Sequence, residues 1–249
     1  MKKRINKIIY LVLIIAFSII FIYSGYKIIS YLIDNRDNRE LKTKTKKYIK
    51  VNDDTQTIER KYNIDFQKLK EQNPDTVAYL KVEGTNIDYV VVRGNNNSYY
   101  LSRNFDKNYN VAGWVFADYR NKLDTTDKNI IIYGHAIRDG SMFGTLKNVL
   151  TEEWQKNEKN KKIELVTENG EYIYEVFSTY IVNEEDYYIT TDFINDEFES
   201  FIKKIKDRSN NDYKVDLSDV TSILTLSACS DDDKGRVVLH AKLIKEINY

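Results

Sequence analysis

The chain is poor in the residues that form disulfides, cysteine-based metal clusters and breaks in regular structure. Its 249 residues include one cysteine, two histidines, one proline and nine glycines. A single cysteine excludes an intrachain disulfide and a structural zinc site built on cysteines. Lys+Arg and Asp+Glu are both 38, so the net charge is zero. A neutral balance lacks the basic excess that a nucleic-acid partner requires.

Aromatic residues are abundant. The chain has 20 Tyr and 10 Phe, and with so little glycine and proline this composition indicates a folded, strand-rich body rather than disorder. The length is sufficient for one well-buried domain plus an anchor, or for two small domains.

A long apolar segment lies near the N-terminus. Residues 8–26 form an uncharged run of 19 residues, and residues 28–33 extend it beyond Lys27. At 1.5 Å per helical residue, the segment is long enough to cross a hydrocarbon core of about 30 Å. A cleaved signal peptide is the alternative, but its apolar region would be shorter, and no convincing small-x-small cleavage site occurs near Ser24-Gly25.

The charges on either side of this segment predict its orientation. The residues before it, 1–7, carry four basic side chains and no acidic one, whereas the residues just after it are mixed in sign. The positive-inside rule therefore predicts a cytoplasmic N-terminus at 1–7, a transmembrane signal-anchor at 8–33 and an extracellular remainder. We expect a single-pass type II protein of the cell membrane.

A charged segment connects the anchor to the body. Residues 34–62 lack glycine and proline, which predicts an extracellular helical stalk with Ile49 and Ile58 among its few apolar anchors. The folded domain is expected at 63–249. A short helix at 64–72 should end at Asn73-Pro74, because a residue before proline avoids the helical region.

Beyond Pro74 the pattern is that of short strands, with an Asn-Gly hairpin at 168–171. Two helical interruptions are predicted, at 141–150 and 192–208, the second from apolar residues near helical spacing. This pattern predicts a mostly β fold, a mixed and mainly antiparallel barrel. The predicted strands lie at 77–82, 87–92, 113–117, 129–133, 162–167, 172–182, 221–227 and 236–244.

Cys229 lies where a strand meets a polar loop. It follows the apolar run at 223–226 and precedes the charged segment 230–235. A lone cysteine in an exported protein is a buried bystander, an intermolecular link or a reactive thiol. The junction of strand and loop favours the reactive thiol, because catalytic groups are often held there by a rigid scaffold.

The other candidate groups are His135, His240 and Arg236. His135 ends a strand through Gly134 and enters a loop, where an imidazole can serve a cysteine nucleophile as acid or base. His240 lies inside a strand, which favours a packing role. Arg236 opens the last strand, where a guanidinium can stabilise an oxyanion. A surface salt bridge to one of the acidic residues at 231–233 is the alternative, and the spacing does not exclude it.

Several segments, in order along the chain, resemble sortases. The sequence Thr-Leu-Ser-Ala-Cys at 225–229, followed by Lys-Gly-Arg at 234–236, resembles their Thr-Leu-x-x-Cys…Arg segment. The histidine segment at 133–135 with 141–146 resembles the class B branch. So do the segments at 84–92, 97–101 and 118–121. The resemblance covers residues 75–249, with Ala136 and Ala228 as modest departures.

This resemblance implies a fold and an activity. It implies a sortase-type mixed β-barrel with N-terminal helices and a helical insertion before the last two strands. It also implies a cysteine transpeptidase of Gram-positive bacteria, with Cys229 as nucleophile, His135 as acid/base and Arg236 as oxyanion or substrate-orienting group. The substrate groove is expected at Asn97, Leu101, Tyr188, Ile189 and Ser227.

The resemblance also implies the partners. The substrates would be secreted proteins with a C-terminal sorting motif of the Asn-Pro-x-Thr-x kind, cleaved after threonine through a thioacyl-enzyme. The acceptor would be an amine of peptidoglycan or of its lipid-linked precursor. Neither a metal nor an organic cofactor is required by this chemistry.

Two other functions are compatible with an anchored cysteine protein. An L,D-transpeptidase would have glycine just before its cysteine and an arginine very close after it, whereas Ala228 precedes Cys229 and Arg236 follows seven residues later. A non-catalytic module that binds cell-wall proteins is the third hypothesis, and the retention of all three triad residues argues against it.

Overall fold

One long helix leads from the N-terminus into the folded body. The structure, a computed structural model, describes residues 2–52, 60–183, 185–229 and 235–249, and their side chains except those of residues 2–6 and Cys229. Helix α1, Lys2–Lys46, is 45 residues long. It is the one helix in this described part of the chain that is long and apolar enough to cross a membrane, and its apolar stretch is not buried by the protein.

The C-terminal part of α1 is docked on the body through one face. The inward residues recur at helical spacing, which places them in one row. Asn38 Nδ2 donates hydrogen bonds to Asn110 Oδ1 and to the Gly113 carbonyl, both at 3.1 Å. This part of the helix is therefore fixed against the domain. The inward row comprises Tyr31, Asn35, Asn38, Leu41 and Thr45.

The predicted helical stalk at 34–62 is wrong beyond Lys46. Strand β1, Ile49–Val51, pairs antiparallel with β2, Tyr62–Ile64. Tertiary contacts override the helical propensity of this charged segment, because the buried Tyr62 packs edge-on against Tyr79 with ring centroids 5.3 Å apart. The Glu171 carboxylate also accepts hydrogen bonds from the backbone N–H groups of Lys61 and Tyr62. Ile58, the second predicted anchor, lies outside the described residues.

Eight further strands close into a barrel. In spatial order they run β10-β8-β7-β3-β4-β5-β6-β9, with β9 paired back to β10. The β4–β5 and β6–β9 pairs are parallel and the other pairs are antiparallel. The mixed, mainly antiparallel barrel is thereby confirmed. The strands are β3 Thr76–Val82, β4 Asp88–Val92, β5 Phe116–Ala117, β6 Asn129–His135, β7 Lys162–Val166, β8 Gly170–Val182, β9 Ile223–Cys229 and β10 Arg236–Asn248.

Short helices cover the barrel. Helix α2, Phe66–Gln72, begins at Asp65, whose side chain accepts a hydrogen bond from Lys68 N, and ends at Asn73 as predicted. Helix α3 is Glu152–Lys156. The helix predicted at 141–150 is only a 3₁₀ turn at Leu146–Leu150.

Helix α4, Glu197–Asp207, forms the predicted insertion between β8 and β9. It buries Phe198, Phe201, Ile202 and Ile205, the residues with helical spacing, against Phe177 and Ile223.

Alternation along β9 separates the barrel core from its outer face. Leu224, Leu226 and Ala228 belong to the main hydrophobic core. Thr225 and Ser227, on the other face of the strand, bond instead to His240 of β10 and to Tyr188. Because residues two apart share a face of a strand, position 229 falls on the outer face with these two.

Candidate functional site

Two of the predicted catalytic residues are neighbours at one edge of the barrel. His135 is the last residue of β6, Cys229 is the last residue of β9, and the two are Cα partners in the parallel pair. Paired residues of neighbouring strands lie on the same face of the sheet. Register alone therefore brings the histidine and the cysteine together, although they are 94 positions apart in the sequence (229 − 135 = 94).

Arg236 begins the strand on the other side of Cys229. Val238 of β10 is paired with Ser227 of the antiparallel β9. Continuing that register by two residues sets the Arg236 backbone opposite the Cys229 backbone. The three predicted residues thus occupy adjacent strands, in the order His135, Cys229, Arg236, and the arginine side chain is exposed.

The imidazole of His135 is held by a backbone carbonyl. Its Nε2 lies 2.8 Å from the Leu101 carbonyl oxygen. A carbonyl oxygen only accepts, so Nε2 carries a proton and Nδ1 is the unprotonated nitrogen of the neutral ring. Within the described part of the chain, Nδ1 is buried without a hydrogen-bond partner. Nδ1 is therefore the ring atom that can take up and return a proton.

The turn after His135 is tightly packed. The His135 carbonyl accepts hydrogen bonds from the backbone N–H groups of Ile137 at 3.0 Å and Phe143 at 2.9 Å. A Cβ added at Gly134 would lie 2.7 Å from two ring atoms of Phe143. Glycine is thus required for the close approach of this ring to the strand that carries the histidine.

The five predicted groove residues fall into two groups. Asn97, Leu101 and Ile189 are half-buried. Tyr188 and Ser227 are 0% and 1% exposed, and their hydroxyls bond to each other at 3.0 Å. Direct contact of these two hydroxyls with a substrate stays a prediction. In this structure they fasten the 3₁₀ turn Tyr187–Ile189 to β9.

A buried carboxylate that the sequence did not single out as functional connects these groups. Asp118 accepts hydrogen bonds from Arg120 Nε and Nη2, both at 2.8 Å, from Asn97 Nδ2 at 2.8 Å and from the Tyr133 hydroxyl at 2.9 Å. Burial alone would raise the pKa of this carboxyl, but the hydrogen bonds from Arg120, Asn97 and Tyr133 outweigh burial and hold the pKa below its ordinary value. Asp118 therefore stays charged and fully engaged.

Arg120 extends this network to another of the predicted groove residues. Its Nη2 also donates to the Ile189 carbonyl at 2.9 Å. Asp118 and Arg120 thus connect Asn97 to Ile189, and Asp118 also bonds Tyr133, which lies two residues before His135 on β6. The Asp-Tyr-Arg spacing at 118–120 was the only signal of this pair in the sequence, because its partners are distant along the chain.

A second polar chain runs beneath the Tyr187–Ile189 turn and contains His240. Tyr187 donates to the Tyr180 hydroxyl at 3.1 Å, and that hydroxyl lies 2.8 Å from His240 Nε2. His240 Nδ1 lies 2.8 Å from Thr225 Oγ1, which donates to Asn129 Oδ1 at 2.6 Å.

Asn129 connects this series of hydrogen bonds to the Tyr187–Ile189 turn, because its Nδ2 donates to the carbonyls of Tyr188 and Thr190. His240 is 0% exposed, and burial lowers its pKa to about 3. The packing role predicted for His240 is therefore confirmed. Among the described residues, no group of three or more His, Cys, Asp or Glu side chains is placed to hold a metal ion.

Comparison with known proteins assigns this chain to a family. Residues 80–244 match the sortase domain family. Sortase B of Staphylococcus aureus is 34% identical over 252 aligned residues, covering 97% of this chain and 99% of that protein. Sortase B of Listeria monocytogenes is 33% identical over 229 residues, covering 90% and 92%.

Solved structures agree with the sequence comparison. Sortase B of Bacillus anthracis, in complex with AAEK1, superposes with a TM-score of 0.72 at 33% identity, covering 86% of this chain and 99% of that one. A complex of S. aureus sortase B with a substrate superposes with a TM-score of 0.66 at 30% identity, covering 89% and 98%.

Proposed function

Because the chain belongs to the class B branch of the sortase family of cysteine transpeptidases, we propose that it cleaves a C-terminal sorting motif after threonine and joins the protein to a cell-wall amine. The observation that carries this proposal is the register that pairs His135 with Cys229 at one barrel edge, with Arg236 beginning the next strand. A nucleophile, an acid/base and a cation on adjacent strand ends are the groups that acyl transfer requires.

The proposed reaction has two half-reactions. The Cys229 thiol gives its proton to Nδ1 of His135, the resulting thiolate attacks the threonine carbonyl carbon, and the oxyanion that forms is stabilised by the Arg236 guanidinium. The carbon–nitrogen bond then breaks, the leaving amine takes a proton from His135, and a thioacyl-enzyme remains. An incoming amine gives its proton to His135, attacks the thioester and releases the thiolate with a new amide bond. No oxidant, reductant or cofactor enters this balance.

The hydrogen bond from His135 Nε2 to the Leu101 carbonyl supports the acid/base role. It fixes the ring and assigns proton transfer to Nδ1. Since Leu101 is also a predicted groove residue, binding of the motif and orientation of the imidazole depend on one short segment. Asn97, Leu101 and Ile189 are proposed to contact the motif, and Tyr188 and Ser227 to support the wall behind it.

The proposed motif is of the Asn-Pro-x-Thr-x kind, and the proposed acceptor is an amine of peptidoglycan or of its lipid-linked precursor. The chain would be a type II membrane protein with residues 1–7 in the cytoplasm, residues 8–33 in the membrane and the domain at 63–249 outside. The basic residues before the apolar segment support this orientation.

The test uses the full chain in detergent micelles and two peptide series, Asn-Pro-x-Thr-x and Leu-Pro-x-Thr-Gly. Mass spectrometry measures the mass added to the protein after brief exposure, and peptide mapping locates it. We expect a thioacyl adduct on Cys229 with the first series, and its loss when an amine acceptor is added.

Cys229→Ala is the control, with circular dichroism showing that the variant is folded. Turnover by Cys229→Ala would refute the nucleophile assignment. An adduct with the Leu-Pro series alone would keep the reaction and refute the proposed motif. No adduct with either series on folded protein would favour a non-catalytic binding module.

A further inference from the structure

The apolar part of α1 and its docked part overlap. Tyr31 packs against the main core of the body. On the same helical turns, Ile28, Ile29, Leu32 and Ile33 are 61%, 59%, 59% and 52% exposed. Four large apolar side chains without protein cover require an apolar surrounding. The body therefore contacts the helix within the last turns of its apolar segment.

Helix geometry gives the depth at which this contact occurs. Twenty residues of helix after Lys7 span about 30 Å and reach Lys27, the outer edge of a hydrocarbon core. Asp34 lies seven residues further, about 10 Å beyond that edge for an upright helix and closer to it for a tilted one. An ordinary tilt of about 20–30° places Asp34 about 5–8 Å beyond the edge, within the lipid headgroup layer, which is on the order of 5–8 Å thick on each side.

Asp34 is bonded directly to a surface loop of the body. The Asn110 Nδ2 donates to the Asp34 carbonyl, and Val111 N donates to Asp34 Oδ2, both at 2.9 Å. The loop segment at Asn110 and Val111 is therefore held at the same depth as Asp34, whatever the tilt of the helix.

The side chains of this loop are those found at membrane interfaces. Tyr109, Val111 and Tyr99 are 66%, 39% and 38% exposed. The Arg103 guanidinium lies 5.8 Å from the Tyr99 ring centroid and 5.9 Å from that of Tyr109. Tyrosine combines an apolar ring with a polar tip, and arginine bonds phosphate oxygens, so both suit the headgroup layer.

The nearby acidic groups do not oppose this surface. Asp34 Oδ2 accepts the Val111 N–H. Asp106 is paired with Lys44. Lys44 lies ten residues after Asp34 on α1, so this pair is about 15 Å further from the membrane than Asp34. Asp75 is paired with Lys107 at 2.9 Å. Of the charged groups in this region, the Arg103 guanidinium is the one that lies between the exposed rings of Tyr99 and Tyr109.

We propose that Tyr99, Arg103, Tyr109 and Val111 form an interfacial patch that rests on the lipid headgroups of the membrane crossed by α1. The proposal rests on the membrane anchor proposed above. It has a consequence for the site, because Tyr99 and Leu101 belong to one 3₁₀ turn and Leu101 holds His135. The edge of the groove would then lie next to the lipid surface, where a lipid-linked amine is located.

The test measures depth in the full chain, reconstituted in vesicles of phosphatidylglycerol and phosphatidylcholine. In a Cys229→Ala background a single introduced cysteine is the only thiol, and it carries a fluorophore. The sites are Tyr109→Cys in the patch, Ile194→Cys as a control of similar exposure (69%) before α4, and Phe21→Cys within the apolar segment. Nitroxide groups on the lipid headgroups or on the acyl chains quench each label according to depth.

We expect headgroup nitroxides to quench the label at 109 at least about threefold more than that at 194, because the headgroup layer is thin. Acyl-chain nitroxides should quench the label at 21. Quenching at 21 with equal, weak quenching at 109 and 194 would overturn the patch and leave the anchor standing. Absence of quenching at 21 would overturn both. Self-quenching at 109 that disappears on dilution with unlabelled protein would assign the patch to a second copy and overturn the lipid proposal.

Discussion

Replacing Asp118 by asparagine tests whether one buried charge holds Asn97 and Ile189, two residues of the proposed groove, in place. The substitution keeps the size of the side chain but removes its charge and turns one acceptor oxygen into a donor. Five hydrogen bonds converge on the carboxylate, three of them from Arg120, whose side chain is 32% exposed. In Asp118→Asn, an amide N–H would face at least one of these donors.

The expected loss follows from these contacts. Removing one partner of a buried pair costs about 3–5 kcal/mol, and the partial exposure of Arg120 reduces this value because water can solvate the guanidinium. We expect Asp118→Asn to lower the free energy of unfolding by about 2–3 kcal/mol, and the Tm by about 5–10 °C. Since Asn97 and Ile189 lose their common support, KM for the sorting peptide should rise by about 3- to 10-fold, with kcat within about twofold.

The assay combines thermal unfolding with steady-state kinetics on the same preparation. Asp219→Asn is the matched control, since Asp219 is 76% exposed in its pair with Lys242 and should change stability by less than about 0.5 kcal/mol. A wild-type Tm and KM for Asp118→Asn would refute the reasoning. A lower Tm with unchanged KM would restrict Asp118 to stability and remove its positioning role.

Three further predictions concern the strands beneath the site. Burial lowers the pKa of His240 to about 3 from 6.5, so the unfolded chain binds this proton first as the pH falls. Stability is therefore full above pH 6.5 and falls by up to about 1.4 kcal/mol per pH unit below it, a slope that urea unfolding should show flattened in His240→Gln. Gly134→Ala forces a Cβ to within 2.7 Å of the Phe143 ring and should cost about 1–3 kcal/mol by thermal unfolding. Tyr188→Phe leaves the buried Ser227 hydroxyl without its 3.0 Å partner and should cost about 1 kcal/mol by denaturant titration.

Each of these has a control that separates the proposed cause from a general effect. An unchanged pH slope in His240→Gln would assign the acid sensitivity to other groups. Gly94→Ala places a Cβ no closer than 3.4 Å to any neighbour, and an equal loss there would contradict the crowding argument at Gly134. Adding Ser227→Ala to Tyr188→Phe should cost little more than the single change, because both partners are then removed.

The barrel was predictable because its strands carry a local signal. Apolar and polar residues alternate along β9 and β10, and the segments that resemble sortases identified His135, Cys229 and Arg236 in order. Strand existence was predicted correctly, whereas register was not available from the sequence. It was register, in the β6–β9 pair, that brought His135 and Cys229 together.

The parts that sequence reasoning missed depend on contacts between distant residues. The role of Asp118 comes from its hydrogen bonds to Asn97 and Tyr133 and, through Arg120, from a bond to the Ile189 carbonyl. No local pattern in the sequence links these positions to one another. The burial of Tyr188 and Ser227 likewise follows from how a turn folds over β9. The strand at Tyr62–Ile64 replaced a predicted helix because Glu171, more than a hundred residues away, binds its backbone.

Because α1 is docked on the catalytic domain through one face, the direction in which that face points around the helix axis sets the orientation of the domain. Each residue of an α-helix turns the chain by about 100° and advances it by 1.5 Å. One residue inserted near Gly25, before the docked row begins at Tyr31, would turn the whole domain by about 100° around the helix axis. Seven inserted residues would return the domain to within about 20° of its orientation but lift it by about 10 Å. With the proposed membrane anchor, the length of the segment before Tyr31 sets both the height of the domain above the membrane and the direction in which the proposed groove opens.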